Sequence, residues 1–323
     1  MNPEAQALSQ FLRDHESVTV VSGAGVSTAS GIPDYRDRDG NWKNAQPVQF
    51  SEFVGSEQTR KRYWARSFTG WSKIWQAEPN AAHHALARLE SSGSVDTVIT
   101  QNVDGLHHRA GSRNVIDLHG RLQRVRCMDC DKLSSRRVWQ QQLAAANPTW
   151  QADVESFAPD GDAHLRDAGT EDFVVPDCDN CGGMVKPDVV FFGENVPRDR
   201  VASAYDATDR AEALLVVGSS LMVFSGFRFA RHAAECGKPI AIVNRGRTRA
   251  DDIATLKIDA DCGTVLEQAA CDCRCTGRLR KPQPGRLRGS FARAGRRGNP
   301  AQGRARTREL GNRRAGGVLG QGP

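Results

Sequence analysis

The 323-residue sequence has no apolar run that approaches the roughly 18 residues needed to cross a bilayer. Its first residues, Met1 to Glu4, lead into no apolar segment of the kind that forms the core of a secretory signal. With 39% hydrophobic and 25% charged residues, the composition is typical of a water-soluble protein. These absences disfavour a membrane or exported protein, so we expect a cytoplasmic enzyme with no membrane partner.

Acidic residues are almost absent from the end of the chain. From Arg274 to Pro323 there are 14 Lys and Arg and one acid, so the net charge of +6 comes from a basic tail on a mildly acidic body. Large apolar residues are scarce here too, and such a segment cannot offset its ordering entropy by burial. We expect residues 271–323 to be a basic disordered tail. Nucleic-acid binding through it is the less favoured interpretation, beside a solvated extension or a C-terminus read in the wrong frame.

Disulfides are not expected from the nine cysteines, because a disulfide scaffold is typical of short exported chains. Four of the cysteines form two Cys-x-x-Cys pairs, Cys127 with Cys130 and Cys178 with Cys181. Four thiolates in two close pairs make a tetrahedral site that zinc fills, and four protein ligands leave no open position. The pattern predicts one structural zinc, in preference to chance pairs or a redox dithiol.

Short apolar runs that end in small or polar residues recur along the chain. Val18–Val21, Asp96–Thr100, Leu214–Val217 and Ile240–Val243 all read as buried strands. Continuous apolar strands are typical of a parallel sheet that is covered on both faces. Ligands of such sheets bind beyond the carboxyl ends of the strands. The fold class expected is therefore α/β, with a Rossmann-type parallel sheet.

Two stretches do not fit the parallel sheet and are expected to be insertions. Residues 37–75 are rich in Trp, Phe and Arg without a strand signal, and residues 121–185 contain both cysteine pairs. We expect them to build a smaller helical, zinc-binding domain. The larger, discontinuous domain would then consist of residues 1–36, 76–120 and 186–270.

Glycines follow the first predicted strand directly, as Gly23-Ala24-Gly25. Glycines at this position let the backbone approach a pyrophosphate at a helix N-terminus. The third glycine of the usual dinucleotide pattern is replaced by Thr28, so an ordinary strand-to-helix turn explains the glycines equally well.

Histidines cluster near the end of another predicted strand. His107, His108 and His119 lie close together in sequence, with His84 further back. A histidine near neutral pKa suits a general base. Chemistry alone does not choose among the four.

The motifs together resemble the sirtuin family of NAD-dependent protein deacylases over roughly residues 5 to 268. The segments that carry the resemblance follow in the family's order and spacing, and the long connection between the cysteine pairs is similar to its class II branch. These segments are 23–36, 100–107, 118–120, the two cysteine pairs, 186–194, 217–221 and 242–244.

The resemblance implies a site residue by residue. His119 is the implied general base, and Asn102 and Asp104 shape the nicotinamide pocket beside Ile32. The residues implied to bind NAD are Gly23, Ala24, Gly25, Ile32, Pro33, Asp34, Tyr35, Arg36, Gln101, Asn102, Val103, Asp104, Gly218, Ser219, Ser220, Asn244, Arg245, Gly246 and Cys262.

The implied reaction consumes NAD as a co-substrate. The acyl group of a lysine side chain moves to ADP-ribose, and free lysine, nicotinamide and O-acyl-ADP-ribose are the products. Val189 and Phe191 are the candidates for the apolar channel around the lysine stem. His119 must be neutral to accept a proton from a ribose hydroxyl.

Tyr63 and Arg66 resemble the pair with which desuccinylating sirtuins bind an acyl carboxylate, a task that suits a hydroxyl and a guanidinium. A helix with Tyr63 in the core and Arg66 at the surface explains the pair equally well.

Two alternative functions remain open from the sequence. Mono-ADP-ribosyl transfer to a protein would use the same scaffold. A non-catalytic NAD-sensing module would not need an intact His119.

Overall fold

The computed structural model describes residues 1–43, 47–158, 161–166 and 169–275. Its strands are β1 (Val18–Ser22), β2 (Val95–Thr100), β3 (Val115–Asp117), β4 (Gly120–Cys127), β5 (Leu133–Ser135), β6 (Asp153–Phe157), β7 (Ala163–Arg166), β8 (Val185–Val189), β9 (Ala213–Val217), β10 (Ile240–Val243) and β11 (Leu256–Ile258). Its α-helices are α1 (Pro3–Asp14), α2 (Phe50–Gly55), α3 (Glu57–Gln76), α4 (Ala81–Ser91), α5 (Leu106–Arg109), α6 (Arg136–Ala146), α7 (Arg198–Arg210), α8 (Phe224–Glu235) and α9 (Cys262–Cys275). Among these described residues, no helix is both long and apolar enough to cross a membrane.

Six parallel strands form the main sheet in the order β11-β10-β9-β1-β2-β3. The chain moves outward from β1 to β3 on one side and then from β9 to β11 on the other. The order therefore reverses between β1 and β9, as in Rossmann folds, and a crevice opens beyond the carboxyl ends of these two strands. The predicted fold class is confirmed.

Alternating side chains of the strands bury both faces of this sheet. On one face, Val20 and Leu215 join a core cluster with Leu86 of α4 and residues of α1 and α9. On the other face, Val216 packs in a cluster with Phe229 of α8. All of these side chains are fully buried. The strands are thus apolar on both sides, which is why they read as continuous runs in the sequence.

A second sheet, of order β5-β4-β8, is antiparallel and belongs to a separate core cluster with α3 and α6. The expected helical, zinc-binding insertion contains the helices α2, α3 and α6, but it also contains strands that were not expected: β4, β5, β8 and the hairpin β6–β7. The alternation typical of a strand is broken in β4, where Gln123 and Arg124 separate Leu122 from Val125 and the pairing with β8 is irregular. Pro187 in β8 is a residue that disfavours strands. The structure tolerates Pro187 because β8 lies at an edge of its sheet.

Two of the expected boundaries shift. Residues 186–189 were expected in the larger domain, but they pair with β4 in the antiparallel sheet. Helix α9 continues through Cys275, five residues into the expected tail. Asp272 explains the longer helix, because its carboxylate accepts a hydrogen bond from Ser9 of α1 at 2.5 Å and pairs with Arg13. Residues 276–323 lie outside the described residues.

The ion pair of Asp272 predicts where the chain can be shortened. A chain that ends at Cys275 should keep the melting temperature of the full-length protein, because it retains the contacts between α9 and α1. A chain that ends at Ala270 should melt at a lower temperature, because it lacks the carboxylate of Asp272 that bonds to Ser9 and Arg13. Thermal unfolding of the three proteins measures this. Equal melting temperatures for the two shortened chains would contradict it.

Candidate active site and metal centre

Two glycine turns meet beyond the carboxyl ends of β1 and β9. The backbone N–H of Gly25 donates to the carbonyl oxygen of Gly218 at 2.8 Å, and that of Gly23 donates to Val217 at 3.1 Å. Gly218 has a φ of +56°, and a Cβ there would lie 2.4 Å from the backbone nitrogen of Val26. Only glycine fits this contact, so the turn after β9 is specified as strictly as the turn after β1.

A cavity of about 400 Å³ extends from these turns to the antiparallel sheet. It brings together most residues that the sequence placed in the site. These are Gly23, Ala24, Gly25, Ile32, Asp34, Tyr35, Arg36, Tyr63, Gln101, Asn102, Val103, Asp104, His119, Val189, Phe191, Gly218, Ser219, Ser220, Asn244 and Arg245. Glycine turns, amides at one end and apolar side chains at the other suit an extended ligand with phosphates, as NAD is.

Four of the expected site residues are not in the cavity lining: Pro33, Arg66, Gly246 and Cys262. The sulfur of Cys262 lies behind the first glycine turn, 3.7 Å from the carbonyl oxygen of Gly25. Gly246 donates to the carboxylate of Asp259. Arg66 donates through Nε to the carbonyl oxygen of Ala163 in β7, at 3.0 Å.

Ser27 connects the two polar residues expected at the nicotinamide end. Its Oγ donates to Asp104 at 2.7 Å and accepts from the amide of Asn102 at 3.0 Å. Asp104 also accepts from the backbone N–H of Leu106 at 2.8 Å. Burial raises the pKa of the Asp104 carboxyl, and these two donors oppose that shift. The network therefore holds the amide of Asn102 at a fixed place in the cavity wall.

His119 lies between β3 and β4 with both ring nitrogens engaged. Nδ1 is 2.9 Å from the carbonyl oxygen of Gln101, and Nε2 is 2.8 Å from Oγ of Ser225. A carbonyl oxygen only accepts, so Nδ1 carries the proton and the lone pair of Nε2 accepts from Ser225. Burial lowers the pKa of His119 to about 4, and the charges of Arg200 and Arg228 add to this effect. The ring is therefore neutral near pH 7, which is the form that can accept a proton.

The other histidines are held away from this role. His108 pairs with the carboxylate of Asp117 at 3.0 Å, and His107 bonds to Oγ of Ser22 at 2.9 Å. Neither these two residues nor His84 contributes to the described cavity lining. Of the four candidate histidines, His119 is the one in the described cavity lining, a distinction that side-chain chemistry alone did not give.

The sequence reasoning missed a group of cavity residues at the start of α8. Ser225 and Arg228 line the cavity together with the preceding residues Met222, Val223 and Phe224. A signal was present, because these residues directly follow the turn after β9, where ligands of such sheets bind. Their side chains belong to no familiar motif, which is why they were passed over.

The apolar end of the cavity is built by β8 and the loop after it. Val189 and Phe191 are both nearly buried, and the ring of Phe191 packs 5.2 Å from that of Tyr63. Glu194 fixes the loop, because its carboxylate accepts from the backbone of Phe191 at 2.9 Å and pairs with Lys186 at 3.0 Å.

The four predicted zinc ligands converge in the antiparallel part. All four sulfurs lie within 4.8 Å of one another, with Cys127 and Cys181 3.5 Å apart and Cys130 and Cys178 3.8 Å apart. These distances exceed the roughly 2.05 Å of a disulfide. They match the roughly 3.8 Å edge of a tetrahedron with Zn–S bonds of about 2.3 Å. The cluster fits a structural zinc.

The comparisons with known proteins agree with this site. The model of the Sir2 family matches residues 23–225. The chain belongs to the Sir2 family. A Bordetella bronchiseptica protein named NAD-dependent protein deacetylase is 57% identical over 265 residues, covering 82% of this chain and 97% of the relative. NAD-dependent protein deacetylase 2 of Bradyrhizobium diazoefficiens is 58% identical over 261 residues, covering 81% and 96%.

Solved Sir2 structures share the fold. A complex of Sir2 with a p53 peptide and NAD+ matches with a TM-score of 0.68 at 30% identity, covering 85% of this chain and all of that chain. Sir2 bound to an acetylated peptide matches with a TM-score of 0.67 at 30% identity, covering 84% and 98%.

The cysteine cluster gives a prediction about metal content. Cys178→Ser should lower the zinc content of the purified protein from about one per chain to near zero, and the melting temperature should fall, because metal binding at such sites contributes directly to folding. The exposed Cys271 offers a matched control, and Cys271→Ser should keep its zinc. Elemental analysis and thermal unfolding measure both effects. If the purified wild-type protein contained no zinc and Cys178→Ser melted at the same temperature as the wild type, the assignment would be contradicted.

Buried neutral histidines predict how stability depends on pH. Burial lowers the pKa of His83 to about 4 and that of His107 well below its ordinary value. Between pH 6.5 and 4.5 the unfolded chain binds protons that the folded chain does not, so the free energy of unfolding should fall as the pH falls. For His83 the loss over this range should be about 2 kcal/mol, and His107 should add to the loss with the same sign.

Denaturant unfolding at several pH values measures this slope. His107→Gln should make the slope shallower. Equal slopes in the wild type and His107→Gln would show that His107 does not contribute.

Proposed function

We propose that this chain is an NAD-dependent protein-lysine deacylase that releases nicotinamide and uses His119 as its general base. The observation that carries the proposal is the single cavity in which neutral His119 lies between the glycine turns and the apolar residues of β8. The relatives named deacetylases support it over most of the chain. We assign one structural zinc to the four-cysteine cluster, on the fit of its sulfur distances.

The residues divide the work by their place in the cavity. The turns at Gly23–Gly25 and Gly218 hold the pyrophosphate, with Ser219, Asn244 and Arg245 toward the adenosine. We infer that the larger, sheet-containing part binds NAD and that the antiparallel part completes the cleft for the peptide. Asn102, held through Ser27 by Asp104, positions the carboxamide of nicotinamide.

His119 supplies the proton transfer. Bound NAD provides the ADP-ribose that accepts the acyl group once nicotinamide has left. Nε2 of His119 then takes the proton of a ribose hydroxyl, the hydroxyl oxygen attacks the acyl carbon, and the lysine amine leaves that carbon with the proton. Gln101 keeps Nδ1 protonated throughout, which leaves the basic nitrogen on the side of the cavity.

The acyl specificity follows from Tyr63 and Arg66. Tyr63 lines the cavity, but Arg66 is not in its described lining and donates to Ala163. The arginine of a carboxylate-binding pair is therefore engaged elsewhere. We expect acetyl-lysine to be preferred over succinyl-lysine.

Localisation and the tail complete the proposal. We place the enzyme in the cytoplasm, on the absence of disulfides among its described cysteines. Its partners are acyl-lysine proteins. We assign no nucleic acid to the tail, because its composition changes abruptly from that of the catalytic part.

The central test exchanges the general base. His119→Ala should lower acetyl-peptide deacylation by about 10²–10⁴-fold, the usual contribution of a general base. NAD affinity should change little, because the contacts proposed for the pyrophosphate and the adenosine lie at the glycine turns, Ser219, Asn244 and Arg245. Mass spectrometry of O-acyl-ADP-ribose and calorimetry with NAD measure the two effects. His108→Ala is the control of the same size, and the base is assigned wrongly if His108→Ala cripples turnover while His119→Ala does not.

The same product analysis separates the competing activity. O-acyl-ADP-ribose that appears with free lysine supports deacylation, and an ADP-ribosylated protein would point to transferase activity. A panel of acetyl- and succinyl-lysine peptides tests the acyl preference. Faster turnover of the succinyl peptide would contradict the inference from Arg66.

A further inference from the structure

Ser225 is the residue of α8 that contacts the proposed base. It is the second residue of that helix, and its hydroxyl oxygen lies 2.8 Å from Nε2 of His119. The opposite ring nitrogen bonds to the carbonyl oxygen of Gln101 at 2.9 Å. The imidazole is thus held at both ring nitrogens, Nδ1 by the carbonyl of Gln101 after β2 and Nε2 by Ser225 of α8.

The helix is brought to this position by a close contact beside Ser225. Gly226 is buried, and a Cβ on it would lie 2.4 Å from Oε1 of Gln101. The end of the Gln101 side chain therefore packs against Gly226, and the backbone carbonyl of the same Gln101 holds Nδ1 of His119. Further along the helix, Phe229, Ala230 and Ala233 are fully buried in the core cluster on that face of the sheet. Packing of α8 against the sheet thus sets the position of the Ser225 hydroxyl.

Ser225 has no evident part in holding α8 itself. The helix N-cap is Val223, which makes no side-chain cap hydrogen bond, and the hydrogen bond of the Ser225 side chain goes to His119. Alanine is a better helix former than serine. Removing the Ser225 hydroxyl should leave the helix intact, so we infer that the hydroxyl serves to hold His119.

We propose that Ser225 is a positioning residue for the deacylation reaction, which orients the imidazole of His119 before the ribose hydroxyl arrives. The proposal rests on the function assigned to His119 above. In the resting site the Ser225 hydroxyl donates to Nε2 and keeps the lone pair aimed into the cavity. The ribose hydroxyl then replaces Ser225 as donor, its proton passes to Nε2, and its oxygen attacks the acyl carbon, which releases the lysine nitrogen. As the ring becomes charged, the Ser225 oxygen accepts a hydrogen bond from the new Nε2–H, so the contact is strongest in the reacting state.

The experiment compares two reactions of the same full-length enzyme. Deacylation of an acetyl-lysine peptide needs the base. Exchange of labelled nicotinamide into NAD, in the presence of that peptide, reports on the step before the base acts. Ser225→Ala should lower the kcat of deacylation about tenfold, the most that one neutral hydrogen bond is worth. The exchange rate and the KM for NAD should stay within about twofold of the wild type, a margin well below the effect of one hydrogen bond.

Two further variants separate the hydroxyl from the shape of the side chain. Threonine and valine have nearly the same shape, but only threonine has the hydroxyl. Ser225→Thr should recover most of the kcat lost in Ser225→Ala, and Ser225→Val should not. Ser203→Ala, a serine on α7 that bonds only to the carbonyl of Asp199 in its own helix, is the control and should behave as the wild type.

A measurement without turnover completes the test. The ¹⁵N chemical shifts of His119 should show Nδ1 protonated in the wild type, and Ser225→Ala should shift the Nε2 signal.

Parallel loss of both deacylation and exchange in Ser225→Ala would show a structural role and overturn the proposal. A Ser225→Ala variant with the kcat of the wild type and an unchanged Nε2 signal would also overturn the proposal. A wild-type enzyme with exchange but no deacylated peptide would instead contradict the proposed function.

Discussion

The site depends on the close contact of two backbone turns at the point where the order of the parallel sheet reverses. The N–H of Gly25 donates to the carbonyl of Gly218, and side chains at either position would separate the turns. Because β1 and β9 are neighbours in register, their carboxyl ends cannot diverge. Most polar residues assigned to NAD follow these two strands or their neighbours β2 and β10, and the others, Asp34, Tyr35 and Arg36, lie in the segment after the first glycine turn. A widening of this contact would therefore change the whole crevice and not one subsite.

Burial sets the charge state of the histidines near the strand ends. His119 is neutral because its environment disfavours the charged ring, and its tautomer follows from the carbonyl of Gln101. His83 and His107 are neutral for the same reason, but they bond to groups inside the protein. Similar electrostatics thus act on three histidines, and only geometry makes one of them a base. Access to the cavity distinguishes His119, since the pKa shifts alone do not.

The sequence predicted the parallel sheet well because its strands are buried on both faces, and such runs carry their own signal. Most cavity residues were also predicted, through a family resemblance and not through chemistry. The predictions failed where the pattern of apolar residues in a short segment was irregular. The alternation of β4 is broken between Leu122 and Val125, and Pro187 interrupts β8. Ser225 was missed because a single serine after a familiar motif carries no pattern, and its meaning comes from a contact with His119, 106 residues away in the chain.

The distance between the metal cluster and the base raises the question of what the zinc contributes to catalysis. The strand β4 ends at Cys127, a ligand, and begins at Gly120, beside His119. Its partner β8 starts soon after Cys181 and ends at Val189. At the far end of this ladder the backbone N–H of Val190 donates to the carbonyl of His119 at 2.8 Å. A Cβ on Gly120 would lie 2.1 Å from the carbonyl oxygen of Asp188, so the two strands touch at the catalytic end. A zinc held by these cysteines would therefore clamp one end of a two-stranded ladder whose other end holds the proposed base beside the proposed acyl-lysine channel, so its structural role would extend to the geometry of the reaction.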